Sequence, residues 1–255
     1  MRSLTASSFA LVVSFAMTLF PRKAQAYPEE YTQRPQTLPA NMIELGAGPV
    51  VDLSAGRSIG GGIQTAFRWG VADGFELTLE ADAYFRGGLV DRRTAPALRA
   101  TLWHSDTASI ALDGGLDLHL VDTVAGAKTV DASAGTFAGV SFYTMMGDRF
   151  ALRARLAVYN PLFRRDILPD VASLSLEPSW NITSNFAALV RIDLATAFQS
   201  PDAAVGGLSA GVLYTLDNRF DFGATFALPA LVSKGGLALD ARVISAFVRW
   251  RIDAR

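Results

Sequence analysis

The sequence predicts an all-β fold, a transmembrane antiparallel up-and-down β-barrel of about 12 strands. Three observations predict it: long alternating segments, connections sorted into short and longer sets, and aromatic residues gathered at strand ends. The clearest alternation is Phe75 to Arg86, FELTLEADAYFR. Phe75, Leu77, Leu79, Ala81, Ala83 and Phe85 share one face, while Glu76, Thr78, Glu80, Asp82, Tyr84 and Arg86 share the other. That is the period of a strand and not of a helix. A strand tilted across a bilayer needs roughly nine to eleven residues, whereas ordinary strands run about five or six.

Residues 1–26 read as a secretory signal peptide. Arg2 supplies the positive start, Ala6 to Phe20 the apolar core, and Ala24-Gln25-Ala26 the cleavage site. An uncleaved anchor is the competing reading, with Arg22 and Lys23 beside the site in its favour. Residues 27–41, with three prolines and little apolar periodicity, read as a periplasmic N-terminal arm, in the simplest case a linker. A plug or partner-binding segment is the alternative.

The barrel domain spans 42–255, with strand candidates at 42–53, 62–71, 75–86, 96–103, 108–121, 129–144, 150–159, 171–182, 186–198, 205–216, 220–228 and 238–252. The seventh sets Phe150, Leu152, Ala154, Leu156 and Val158 against Arg153, Arg155 and Tyr159. In the ninth, Phe186, Ala188, Val190, Ile192 and Leu194 oppose Arg191 and Asp193. The last candidate breaks parity between Asp240/Arg242 and Ser245/Arg249/Arg251; a β-bulge near Val243-Ile244 would restore it.

Connections after even-numbered candidates are tight, as at Ala72-Asp73-Gly74, Gly147-Asp148 and Asp217-Asn218. Those after odd-numbered candidates read as longer: Ser54–Gly61, Gly87–Ala95, Asp122–Thr129, Asn160–Asp170, Ser200–Ala204 and Pro229–Gly236. Trp69, Trp103, Trp180 and Trp250, with Phe75, Phe150, Phe186, Tyr214, Phe220 and Phe222, lie near the short-turn ends. Phe85, Tyr84, Tyr159 and Phe198 lie near the opposite ends, with aliphatic residues between. Two aromatic girdles around an aliphatic band suit a bilayer. A soluble barrel would place its largest rings mid-strand.

This pattern resembles the bacterial outer-membrane β-barrel proteins, porin-like in the broad sense. The resemblance rests on the signal peptide and residues 42–252. It implies an outer-membrane location with both termini periplasmic, contact with lipid and lipopolysaccharide, and insertion by the barrel-assembly machinery. Such barrels commonly end on an aromatic residue; here Trp250 and Ile252 are followed by Asp253-Ala254-Arg255, so that signal is displaced or absent. At 18% charged residues the chain is poorer in charge than soluble domains, and a net charge of −1 excludes a strongly basic nucleic-acid binder. With no cysteine, disulfides and Cys-ligated metals are excluded.

The polar face should line the lumen. The residues expected to carry function there are Arg68, Arg99, Arg153, Arg155 and Arg191 against Glu76, Glu80, Asp82, Asp113, Asp117 and Asp193. Opposed rows of arginine and carboxylate would give a slender pore for small hydrophilic solutes, working without a cofactor. The competing expectation is that the charges pair and hold the interior shut, leaving a structural or interaction barrel. Gly46, Gly48, Gly70, Gly115, Gly135, Gly139 and Gly211 would leave room. A hydrolase is the third reading, since His104-Ser105-Asp106 holds triad residue types. Three consecutive residues of one tight turn cannot align nucleophile, base and orienter. Arg92-Arg93 and Arg164-Arg165 are placed in outer loops, where they could meet anionic groups.

Overall fold

The computed structural model describes residues 28–54, 59–123, 129–163, 169–233, 236–237 and 239–253. The signal-peptide segment 1–26 and Arg164-Arg165 lie outside them. Among the described residues one 3₁₀ turn, Tyr31–Gln33, precedes the strands. These are β1 Met42–Asp52, β2 Gly60–Ala72, β3 Phe75–Arg86, β4 Leu89–His104, β5 Ala108–Thr123 and β6 Thr129–Met146. They continue as β7 Phe150–Pro161, β8 Val171–Asn181, β9 Phe186–Ala197, β10 Ser200–Leu216, β11 Phe220–Ser233, β12 Gly236–Leu237 and β13 Val243–Asp253. The two-residue β12 only folds back antiparallel on the end of β11, so twelve long strands form the wall.

Each long strand pairs antiparallel with its chain neighbours, and β1 pairs with β13, Met42 opposite Asp253. The ring therefore closes and leaves no edge strand. Closure matters because a bilayer core offers no water to satisfy unpaired backbone groups. Outward faces carry the aliphatic residues, with Leu156 57% exposed. Trp103, Trp180, Trp250, Phe222 and Tyr214 stand exposed near the short-turn ends, and Phe85 and Phe198 near the opposite ends. Phe220 stacks on Trp250 at 6.2 Å between ring centroids across the β11–β13 pair. This is an aliphatic band between aromatic belts, the arrangement a lipid-facing barrel requires.

Several expected boundaries move. The expected loop Gly87–Ala95 is a Gly87-Gly88 turn, and strand β4 begins at Leu89. Both glycines have positive φ (56° and 80°), which lets two residues reverse the chain where a longer loop was expected. Likewise Phe198-Gln199 is the turn into β10, and Pro229 to Ser233 continue β11. The expected sorting into short and longer connections is thus blunted, because the strands themselves run on at that end. Arg92 and Arg93 belong to β4, not to a loop. No bulge forms near Val243-Ile244: Asp240 and Arg242 precede the strand, and β13 keeps one parity throughout. Tyr84 and Tyr159 point inward rather than joining a girdle. A Cβ at Gly62 would press on the Tyr84 ring, and one at Gly135 on the Tyr159 ring.

Candidate functional site

Over most of the wall, alternation puts the polar residues of each strand inside the ring, and the arm enters the same interior from the short-turn end. Glu29 meets Asn185 in the β8–β9 turn, so the arm starts at that mouth. It then dips inward. The Tyr31 hydroxyl donates to Glu177 Oε1 at 2.8 Å, and its ring lies 4.3 Å from the Arg153 guanidinium carbon. Burial, then the Glu177 carboxylate, push the Tyr31 hydroxyl up to about 12, so it stays a donor at any physiological pH. Thr32 is held by Asn181, whose Nδ2 donates to its Oγ1 at 2.5 Å, and by the Tyr143 hydroxyl on its carbonyl. Arg99 Nη1 donates to the Gln36 carbonyl at 3.3 Å. The arm climbs back out through Leu38, whose N–H donates to Glu76 Oε2 at 2.8 Å, and Asn41, whose N–H donates to the Gly70 carbonyl at 2.7 Å.

A chain of alternating charges fastens both legs of this hook. Arg34 is bidentate on Asp221 at 2.7 and 3.0 Å, and Asp221 also binds Arg251. Arg251 Nε reaches Glu44 Oε2 at 2.8 Å; Arg68 bridges Glu44 at 3.0 Å and Glu76 at 2.8 Å. Asp221, Arg251, Glu44, Arg68 and Glu76 sit on β11, β13, β1, β2 and β3, which are successive staves of the barrel. Glu76 and Asp221 are fully buried. Buried carboxylates of this kind need several donors each, and here the arm supplies some of them. Thr215 Oγ1 completes the set, donating to Asp221 at 2.9 Å and accepting from Arg34 at 2.7 Å.

The remaining expected lumen residues form two further groups. Arg155 grips Asp113 through Nε at 3.0 and 3.2 Å, with Ser141 donating to the same carboxylate at 3.1 Å. Nearer the opposite end, Arg93 collects Asp117 at 2.9 Å, Glu80 at 3.1 Å and Asp82 at 3.5 Å. His119 lies beside Asp117 at 3.3 Å and Asp91 at 3.6 Å. Arg191 pairs with Asp193 on its own strand at 2.8 Å. Arg153, 3.8 Å from Glu177, also donates to the Tyr31 carbonyl at 2.9 Å. The expected opposition of arginine rows to carboxylate rows is therefore mostly local pairing between near strands. Sequence reasoning missed Arg34, Asp221, Thr215 and Tyr31, and it placed Arg93 outside. Among the described residues no group of three or more His, Asp or Glu is arranged to hold a metal. In the His104-Ser105-Asp106 turn, Ser105 Oγ donates to the Ala108 carbonyl and accepts from its N–H, serving the turn.

Three cavities run in sequence through the interior. One of about 170 Å³ lies by Tyr84, Asp91 and His119; Arg93 joins it to a second of about 470 Å³ around Asp117, Asp113 and Tyr159. Glu80, Arg99, Arg155 and Arg191 line both that cavity and a third of about 330 Å³, whose floor is Tyr31, Arg34, Pro35 and Gln36 of the arm.

No protein-family model matches the chain, and no curated protein sequence matches it. Solved structures do. The KdgM porin aligns at a TM-score of 0.58 and 9% identity over 80% of this chain and 98% of its own. The NanC porin aligns at 0.57 and 10% identity over 83% of this chain and 100% of its own. An outer membrane channel from Pseudomonas putida F1 aligns at 0.55 and 8% identity, covering 91% of this chain and all 100% of that one. The fold is that of the outer-membrane porin-like barrels.

Proposed function

We propose that the protein is a passive outer-membrane channel for small hydrophilic solutes, with a lumen lined by arginine and carboxylate. The observation that carries this reading is the series of polar cavities sharing Arg93, and then Glu80, Arg99, Arg155 and Arg191, down to the arm. A barrel of about eight strands is filled by its own side chains, and twelve strands enclose more space than that. The similar solved structures described as porins and channels support the same reading. On it, both termini face the periplasm, the aliphatic band meets lipid, and the opposite end meets lipopolysaccharide. Selectivity would come from the width and the charge pattern of the lumen. Swelling of proteoliposomes in an isosmotic small sugar tests it: swelling above protein-free vesicles is expected, and its absence would sink the channel reading.

One observation favours a second reading. The arm hydrogen-bonds to side chains from β3, β4, β6, β7, β8, β10 and β11, which suits a closed barrel that presents its ends to partners. The same swelling assay separates the two readings.

A further inference from the structure

The third cavity, the chamber above the arm, has a charge balance that pairing does not remove. Seven arginines and three glutamates line it. Five of the seven are tied to carboxylates: Arg34 to Asp221, Arg68 to Glu44 and Glu76, Arg153 to Glu177, Arg155 to Asp113, and Arg191 to Asp193. Arg99 and Arg249 have no carboxylate within ion-pair distance among the described residues. Arg99 spends one N–H on the Gln36 carbonyl, and its Nε is buried with no acceptor. The Arg249 guanidinium rests 4.4 Å from the centre of the Phe247 ring. On the floor, Gln36 Oε1 is buried without a donor.

We infer that this chamber is a binding site for small organic anions carrying a carboxylate or phosphate group. A guanidinium withdrawn from bulk water and left without an anion is costly, and a fork of N–H groups matches a planar oxyanion. Arg99 and Arg249 supply that recognition, while Gln36 Oε1 takes a hydroxyl proton from the same ligand. At about 330 Å³ the chamber stands at the small end of ligand pockets, a size that suits a compact anion.

The test has two arms, of which only the second rests on the channel reading. Equilibrium dialysis of labelled gluconate, and separately of inorganic phosphate, against the detergent-solubilised full chain measures binding directly. Saturable gluconate retention is expected, resisting excess sorbitol, and reduced about tenfold in the Arg99→Gln/Arg249→Gln double variant. Phosphate retention distinguishes an oxyanion site from one that also needs hydroxyls. In planar bilayers, a KCl gradient should give a reversal potential favouring chloride, shifted toward potassium by the double variant. Arg99→Lys, which keeps the charge and loses the fork, should keep chloride preference while weakening gluconate. Heat-modifiable migration establishes that each variant is folded. No gluconate or phosphate binding, or binding unchanged in the folded double variant, would overturn the site even if the channel conducts. Binding without conductance would keep the site and remove the channel.

Discussion

At the scale of single residues, Asp221 has the most to lose. It sits one residue into β11 and receives Arg34, Arg251 and Thr215, with no exposure to solvent. Asp221→Asn removes one buried negative charge from between Arg34 and Arg251, of which Arg251 keeps Glu44, and breaking a buried pair in this way typically costs roughly 3–5 kcal/mol. Urea titration of vesicle-embedded protein, read as the folded fraction on unboiled gels, should register a loss of that order. Gly70 lies directly against the arm. A Cβ there would run into the carbonyl oxygens of Pro39 and Leu38, so Gly70→Val should expel the hook without touching the β2 ladder. Because the chain has no cysteine, a Thr32→Cys probe reports this cleanly. Its thiol should resist maleimide in the parent and react in the Gly70→Val background; equal reactivity in both would mean the arm is not seated as described.

Among the elements, the strands and the arm differ in how far the sequence revealed them. Strand β3 was readable because every second side chain meets a different medium, and its bounds, Phe75–Arg86, are those expected. Extensions at the opposite end were not readable. There both faces of β4 are polar, as Asp91, Arg92, Arg93 and Thr94 show, so alternation fades although backbone pairing continues. The arm was opaque for another reason. Its bonds are made by backbone groups and by single residues, Tyr31, Thr32, Arg34 and Leu38, each to a strand distant in sequence. No local period records such contacts. A hint lay in Gly70 and Asp221: one is a lumen position without a side chain, the other an inward carboxylate near a strand start. Part of the expected glycine room is likewise taken, by Tyr159 at Gly135 and by the arm at Gly70. Arg34→Ala removes the bidentate tie and should loosen one leg of the hook. Limited proteolysis should then cut between residues 28 and 41 several times faster than in the parent, while the barrel fragment stays intact.

Across the whole molecule, one backbone thickness separates a lipid face from a water face. That division makes opposite predictions for neighbouring residues of one strand. Leu156 points outward and is 57% exposed, whereas Arg155 next to it points inward onto Asp113. Leu156→Arg should destabilise the inserted barrel by about 2–4 kcal/mol, the cost of a cation on the lipid face near the midplane. Ser175→Arg, on the inward face of β8 beside Arg191, should cost far less and narrow the passage instead. Urea titration in vesicles compares the two directly.

In the proposed channel the lumen is water-filled and the arm floors its short-turn end. Single-channel recording in planar bilayers, on the refolded parent and on Gly70→Val side by side, tests it most directly. Discrete steps are expected in the parent, and steps several-fold larger, or longer open, in Gly70→Val. Silence from both folded proteins would contradict the channel, and identical steps from both would contradict the arm as its floor.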